Sequence, residues 1–244
     1  MTRIKKIILG FLLFTVFLFL YKYSPYRVEF IGYYHKIWAH RVDSKEKLKA
    51  ALLFYDGVEL DLVYKANENV LDVNHPPKKS INLSFENYLS VIENEPYLWL
   101  DIKNLTAENS KLILSRLIKV LKQKNYSFNK IIIETRYPEA LPIFTKEGFI
   151  TSYYLPFDLR NKPVSELNLE ISKIKSVLEN QPKIGISTNY KDYYIIKEYF
   201  PDKDKYLWMT SSITERWFTK TRTILKDEKV KVVLVHYKSP TGNR

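Results

Sequence analysis

Short apolar runs alternate with longer amphipathic runs through most of this chain, and that alternation restricts its fold more than any other feature. The short runs have the length of β-strands, and the longer runs have helical spacing with start signals at Asp43-Ser44, Ser84 and Thr106. Strands that alternate with helices are typical of a parallel sheet. The strand-like runs cover residues 37–40, 57–63, 97–102, 130–135, 150–155, 183–188, 206–210 and 230–236.

Eight such runs favour a closed barrel over an open sheet. The chain has 244 residues, and eight strand-and-helix units of this length fit a single parallel (β/α)₈ barrel of the TIM type. No low-complexity linker interrupts the alternation, so we predict one α/β barrel domain over residues 37–244. Helices are expected over residues 45–54, from Ser84 to residue 92, and over 107–124.

The N-terminus has the charge order of a signal anchor. Arg3, Lys5 and Lys6 precede an apolar run over residues 7–21, and no small-residue cleavage site follows. The run is shorter than the roughly 17 to 25 residues of a typical membrane span. We expect residues 1–22 to form an uncleaved transmembrane or signal-anchor helix, with a cleaved signal peptide as the alternative, and residues 23–36 to form a juxtamembrane linker.

This charge order also predicts where the barrel lies. Positive residues next to a membrane segment stay in the cytoplasm. The barrel is therefore expected on the periplasmic or extracellular side of the cell membrane, held by a single span, or secreted if the N-terminus is cleaved.

The composition limits the chemistry. The chain has no cysteine, so any metal must be held by carboxylates, histidines, carbonyls or water. The net charge is +12, and because lysines such as Lys111, Lys119 and Lys122 are spread along one helix, we interpret it mainly as a solvated surface. Attraction to anionic lipid or to a phosphate substrate is the alternative. No recognised nucleic-acid motif accompanies the charge, so no nucleic-acid partner is expected, and the oligomeric state is left open.

Acidic residues stand at the ends of the second and third strand-like runs. Strand alternation puts Glu59 and Asp61 on one face of the second run, and it puts Asp101 and Lys103 on one face of the third. In a closed barrel the apolar faces meet the helices, so the charged residues point into the barrel mouth. Because three buried acids are costly unless a cation lies among them, we predict Glu59, Asp61 and Asp101 as ligands of Mg²⁺ or Ca²⁺.

Basic residues and histidines complete this set. A metal at this position would polarise one oxygen of a bound phosphate group. Arg41 and Lys103 are expected to bind the other oxygens of that phosphate. His40 ends the first run and His75 lies in the long loop after the second, and imidazole suits proton transfer near pH 7. Long βα loops lie at the C-terminal face, where TIM barrels carry their active sites. The set predicts phosphoester chemistry assisted by a divalent metal.

Three further residues are weaker candidates for substrate contacts. Glu134 and Arg136 share a face at the end of the fourth run, although an ion pair without a role is an equal alternative. His236 ends the last run. The aromatic residues Tyr153, Tyr154 and Trp208 are interpreted as core rather than as a platform for a ligand.

The order of these residues resembles that of a known superfamily. It is similar to the order in the glycerophosphodiester phosphodiesterases and the wider phospholipase C-like phosphodiesterase superfamily. The details are most similar to the menorin branch. The matching motifs, all between residues 38 and 103, are Trp38-Ala39-His40-Arg41, Asp43-Ser44, Glu59-Leu60-Asp61, His75-Pro76-Pro77 and Leu100-Asp101-Ile102-Lys103.

The resemblance implies a function. In that superfamily the matching histidines act as general acid and base and the matching acids bind the metal. A substrate hydroxyl beside the phosphate can attack first and give a cyclic phosphate. The implied substrate is a glycerophosphodiester or a related small-molecule or lipid-derived diester. The chain departs from the usual pattern at Val42 (usually glycine), at Pro76 (usually aspartate) and in lacking a Glu-Asn-Thr segment, which puts the glycerophosphodiester itself in doubt.

Two other functions stay open. The menorin-like details and the missing segment also fit a non-catalytic barrel that serves as a surface binding protein. Asp101, where phosphodiesterases often carry glutamate, also fits a phospholipase-D-like lyase that forms a cyclic phosphate. The first alternative predicts no divalent binding, whereas the second predicts a cyclic product.

Overall fold

The computed structural model describes residues 3–209 and 218–237. Nine strands form one sheet, and eight of them are parallel. They are β1 Ile37–His40, β2 Gly57–Lys65, β3 Val70–Val73, β4 Tyr97–Ile102, β5 Ile131–Thr135, β6 Ile150–Tyr154, β7 Gly185–Asn189, β8 Lys205–Trp208 and β9 Val230–His236. The sheet order is β1-β9-β8-β7-β6-β5-β4-β2-β3, and pairing of β1 with β2 closes the parallel strands into the predicted barrel.

The parallel strands match the eight predicted runs. The bounds of β1, β4 and β9 agree with the prediction, and residue 210, predicted as the end of β8, lies outside the described residues. Strand β2 continues beyond the prediction to Lys65 because it pairs with β3, from Leu62 opposite Val73 to Lys65 opposite Val70. This antiparallel pair carries the long loop that holds His75.

The described residues contain eight α-helices. They are α1 Arg3–Tyr23, α2 Lys45–Ala51, α3 Phe85–Leu89, α4 Ser110–Gln123, α5 Pro142–Lys146, α6 Val164–Asn180, α7 Tyr193–Tyr199 and α8 Phe218–Lys226. Ser44 and Ser84 cap α2 and α3, as predicted, by accepting the N–H groups of Lys47 and Asn87 at 3.2 Å. The predicted start of α4 is wrong, because the Asn109 side chain accepts the N–H of Thr106 and holds residues 107–109 in a turn.

Helix α1 occupies the predicted anchor segment and takes in its basic residues Arg3, Lys5 and Lys6. The chain after it is attached to the barrel, since Arg222 on α8 donates to the carbonyl of Ile31. Within residues 3–209 and 218–237, no helix combines the length and the apolar character needed to cross a membrane. The transmembrane helix of the sequence prediction is therefore not supported.

Apolar residues fill both sides of the barrel wall. Val58, Leu60 and Leu62 of β2 face the helices and are fully buried, as the alternation predicts. Aromatic and aliphatic side chains from alternate positions fill the barrel interior; they are Trp38, Trp99, Ile132, Tyr206, Val232 and Leu234. Five of these six positions lie in the first half of their strands, whereas Leu234 lies nearer the C-terminal end of β9 and lines the cleft there. The later inward positions of β1, β2, β4 and β5 are left for the polar residues of the C-terminal end.

Candidate active site

A cleft of about 430 Å³ opens at the C-terminal end of the barrel. His236, although it lies beside His40 in the pairing of β1 with β9, is not part of the lining. The other nine residues singled out from the sequence all line the cleft: His40, Arg41, Glu59, Asp61, His75, Asp101, Lys103, Glu134 and Arg136. Residues from four strands and from the four loops that follow β1, β3, β4 and β5 thus share one site.

Three carboxylates converge in this cleft. Glu59 and Asp61 are successive inward residues of β2, and Asp101 lies opposite Asp61 in the pairing of β2 with β4. One carboxylate oxygen from each residue lies within 4.8 Å of the other two. The exposed fraction is 2 % for Glu59 and 1 % for Asp61, so water does little to screen their charges.

The surrounding residues do not fully neutralise or hydrogen-bond these three carboxylates. Oδ2 of Asp61 is buried and has no hydrogen-bond partner among the described residues. Burial, followed by the charge of Asp61, raises the pKa of Glu59 well above its usual value, and burial also raises the pKa of Asp61 and of Asp101. A set of three carboxylates fits a hard divalent cation such as Mg²⁺ or Ca²⁺, which would supply the missing partner.

Lys103 already lies against two of the acids. Its Nζ is 2.5 Å from Oδ1 of Asp61 and also bonds Asp101. Burial by itself lowers the pKa of this ammonium group, but Asp101 and Asp61 outweigh burial and the net pKa is raised. Lys103 is therefore charged at neutral pH, and a phosphate in the cleft would share that charge with the two carboxylates.

The two histidines enter the cleft from different elements. Nε2 of His40 lies 3.5 Å from Oε2 of Glu59. Burial, with a contribution from Arg41, lowers the pKa of His40 to about 3, so this contact is not an ion pair at neutral pH. His75 is half-buried in the loop after β3, and the preceding Asn74 donates its N–H to the carbonyl of Asp61 at 3.0 Å. That bond ties the loop to the acid-bearing strand.

The turn after β1 explains one departure from the superfamily pattern. Arg41 has a φ of 57°, which is uncommon for a residue other than glycine. The next residue, Val42, is completely buried, and its N–H donates to the carbonyl of Glu59 at 2.8 Å. A glycine at position 42 would leave this part of the core unfilled. Valine here therefore has a packing role.

Sequence reasoning missed two residues beside the site. Asp43 accepts the backbone N–H of Asp61 at 3.1 Å, and Lys47 donates to the carbonyl of Arg41. Burial raises the pKa of Asp43. From the sequence, Asp43 is assigned only to a helix start signal and a matching motif, because its contact with β2 depends on the barrel closure.

Aromatic residues form one wall of the cleft. Tyr154 stacks on Trp208 with ring centroids 4.7 Å apart and an interplanar angle of 7°, and the ring of Phe157 meets Tyr154 edge-on at 5.3 Å. The core prediction is confirmed for Tyr153, which packs against the core, and Trp208 also packs against the interior cluster. It misses that Tyr154 and Trp208 both line the cleft. They are late inward positions of their strands and so lie above the filled interior layer.

Glu134 and Arg136 occupy different levels of the cleft. Glu134 is buried at the base, where its Oε2 accepts the indole N–H of Trp99 at 2.9 Å. Burial, followed by the charge of Asp101, raises the pKa of Glu134 to about 8. Arg136 is exposed at the mouth and bonds the hydroxyl of Tyr154 instead. Glu134 and Arg136, both among the described residues, form no ion pair with each other. The alternative that they are only an ion pair without a role is therefore wrong.

Comparison with known proteins identifies solved structures that share this fold. No family model matches the sequence, and no curated protein has a significant match to it. A glycerophosphodiester phosphodiesterase from Parabacteroides distasonis superposes with a TM-score of 0.56 and 16 % identity, covering 82 % of this chain and 91 % of its own. A phosphodiesterase from Oleispira antarctica, solved with its product sn-glycerol-3-phosphate, superposes with a TM-score of 0.54 and 12 % identity, covering 84 % and 94 %. The chain therefore has the barrel fold seen in glycerophosphodiester phosphodiesterases.

Proposed function

We propose that this protein is a metal-dependent phosphoric diester hydrolase that acts on glycerophosphodiesters or a related phospholipid-derived diester. The convergence of Glu59, Asp61 and Asp101 beside His40 and His75 in one cleft carries this proposal. The likeness to glycerophosphodiester phosphodiesterase structures supports it, as does the product bound in one of those neighbours.

The carboxylates, the arginine and the lysine would bind the phosphate end of the substrate. Glu59, Asp61 and Asp101 would hold Mg²⁺ or Ca²⁺, and such an ion neutralises and polarises a phosphoryl oxygen. Arg41 lines the same cleft and would contact the oxygens that remain. Lys103 holds Asp61 and Asp101 in place and adds positive charge next to the phosphate.

The two histidines would transfer the protons. One imidazole accepts the proton of the attacking hydroxyl, from water or from the substrate itself, as the new P–O bond forms. The other imidazole donates a proton to the leaving alkoxide as its P–O bond breaks. General acid–base catalysis of this kind contributes roughly 10²- to 10⁴-fold to a rate.

The geometry favours this function over a non-catalytic barrel. A pure binding barrel has no need for three acids at ligand distance from one another, and such a cluster is costly when no cation balances it. The lyase alternative uses the same residues, so it differs only in the product. A cyclic phosphate would remain after the alcohol leaves.

The test is turnover by the purified full chain with Mg²⁺ or Ca²⁺ and a panel of phosphodiesters. We expect alcohol release that falls by about 10²- to 10⁴-fold in His40→Ala and His75→Ala. His35→Ala is the matched control, because His35 lies outside the cleft. Phosphorus NMR distinguishes an open from a cyclic phosphate. No alcohol release from any diester, or unchanged turnover in both variants, would refute the proposal.

We also propose, from the N-terminal charge order alone, that the barrel is exported. A reporter enzyme that is active only outside the cytoplasm, fused after Arg244, should be active in cells. A reporter that is inactive in this fusion and active in a cytoplasmic control would contradict export.

A further inference from the structure

Arg136 carries a positive charge at the cleft without a carboxylate partner. Its Nη2 donates to the hydroxyl of Tyr154 at 3.2 Å, and among the described residues no acid forms an ion pair with it. Arg160 provides a contrast, because it pairs with Asp158 at 2.8 Å and with Asp192 at 3.5 Å. The guanidinium of Arg136 is thus available to an anion in the cleft.

Aromatic rings hold this guanidinium in place. Its Cζ lies 4.5 Å from the ring centroid of Tyr154 and 4.4 Å from that of Phe157. These cation–π contacts restrict the guanidinium without neutralising its charge, so less conformational freedom is lost when an anion binds. Tyr154 is itself fixed by its stack on Trp208. The charge is therefore preorganised.

The same arrangement disfavours a cationic ligand. Quaternary ammonium groups are recognised by aromatic rings whose faces are free. Here the guanidinium and Trp208 both contact Tyr154, and a second cation would meet the like charge of Arg136.

A smaller recess gives the anion a place to lie. It has a volume of about 250 Å³ and shares Asp101, Lys103, Arg136 and Tyr154 with the main cleft. Asp101 is already bonded to Lys103, so the negative charge that it presents to the recess is offset. The recess lies on the side of the carboxylate cluster toward β5, where the alcohol portion of a diester bound at that cluster could extend.

We infer that Arg136 selects diesters whose alcohol portion carries a second anionic group, a carboxylate or a phosphate, and discriminates against cationic alcohols. This inference rests on the proposed function, since the scissile phosphate is taken to lie at the carboxylate cluster. The second anion would then lie against the guanidinium of Arg136. A charge-assisted, two-pronged contact is the interaction that arginine makes with either group.

The experiment compares four glycerophosphodiesters that differ only in the alcohol: glycerol, glycerate, glycerol phosphate and choline. With the full chain and Mg²⁺, kcat/KM should be about 10-fold higher for the two anionic alcohols than for glycerol, and lowest for choline. Arg136→Gln should bring the ratio of anionic to neutral alcohols close to one. Arg136→Lys keeps the charge without the stacked plane and should give an intermediate ratio. Arg160→Gln should leave the ratio as in the wild type.

The outcomes separate this inference from the proposed function. Equal kcat/KM for anionic and neutral alcohols, or the same ratio in Arg136→Gln and the wild type, overturns the role of Arg136 but leaves the hydrolase. No turnover of any diester overturns the hydrolase. Calorimetry then tests Arg136 by binding of 3-phosphoglycerate, which carries a carboxylate besides its phosphate, and of glycerol 3-phosphate, which does not. Equal affinity of the wild type and Arg136→Gln for 3-phosphoglycerate overturns the inference. A thermal melt of each variant verifies its folding.

Discussion

The backbone N–H of Arg41 donates a 2.7 Å hydrogen bond to Oε2 of Glu59, across the seam where β1 meets β2. A candidate metal ligand therefore also stabilises the turn that carries the candidate phosphate-binding arginine. Support of this kind fixes the orientation of a ligand before the metal binds.

Replacing Glu59 separates its charge from its hydrogen bond. Glu59→Gln keeps an oxygen for the N–H of Arg41 but loses the charge, so we expect Mg²⁺ affinity to fall by at least about 10-fold while the fold persists. Glu59→Ala loses the hydrogen bond as well and should be about 1–3 kcal/mol less stable than Glu59→Gln. Calorimetry with Mg²⁺ and chemical unfolding in a chelator measure the two effects. Wild-type Mg²⁺ affinity in Glu59→Gln would exclude Glu59 as a ligand.

Divalent ions should stabilise the protein more as the pH rises. The pKa values of Glu59, Asp61 and Asp101 are raised in the fold, so the folded state retains protons that the unfolded state loses above its ordinary carboxyl pKa of about 4. In a chelator, the contribution of these three groups to stability is therefore complete below that pH and falls as the pH rises. Bound Mg²⁺ replaces the protons, so its stabilising effect grows from pH 5 to pH 8. Melting temperatures with chelator and with Mg²⁺ would show a constant difference if no ion binds here.

Glu134 should contribute a separate pH dependence. Its pKa of about 8 in the fold lies above the ordinary value of 4.5, so its contribution to stability is complete below about pH 4.5 and is lost as the pH rises toward 8. Glu134→Gln keeps an acceptor for Trp99 and cannot ionise, so the variant should lose less stability over this range. Glu139→Gln, which changes an exposed acid on the loop after β5, is the control. Parallel pH profiles for the wild type and Glu134→Gln would contradict the shift.

Gly57 should tolerate no side chain. A Cβ at this position would lie 2.4 Å from a ring atom of Trp38, which is also stacked on Tyr97. The indole cannot move without disturbing the barrel interior, so we expect Gly57→Ala to cost about 1–3 kcal/mol. Gly10→Ala is the matched control, because a Cβ there meets nothing within 4 Å. Chemical unfolding of the wild type and the two variants gives the comparison. A Gly57→Ala variant as stable as the wild type would show that the barrel interior can rearrange.

Local pattern was sufficient for the barrel and for most of the site. The alternation along β2 separates Glu59 and Asp61 from Val58, Leu60 and Leu62, because successive side chains of a strand point to opposite faces. Parallel strands bring their C-terminal ends to one face, so residues that end different runs could be assigned to one cleft from the sequence. The roles assigned to these residues remain predictions.

Contacts between distant segments were decided only by the tertiary structure. The bond from the backbone N–H of Asp61 to Asp43 and the burial of Val42 depend on the closure of β1 onto β2. The extension of β2 depends on its pairing with β3. A local sequence pattern indicates which secondary structure a segment tends to form. It does not indicate which distant residue a side chain or backbone group will contact.

The sequence by itself determined the barrel, the inward direction of the acids and the end of the barrel at which they lie, because side-chain alternation and strand direction are local properties. Only the tertiary structure decided that three carboxylates come within 4.8 Å of one another, and that Tyr154 and Phe157 hold Arg136 at the mouth. Distances between strands follow from barrel closure and from the packing of its interior, which no single segment specifies.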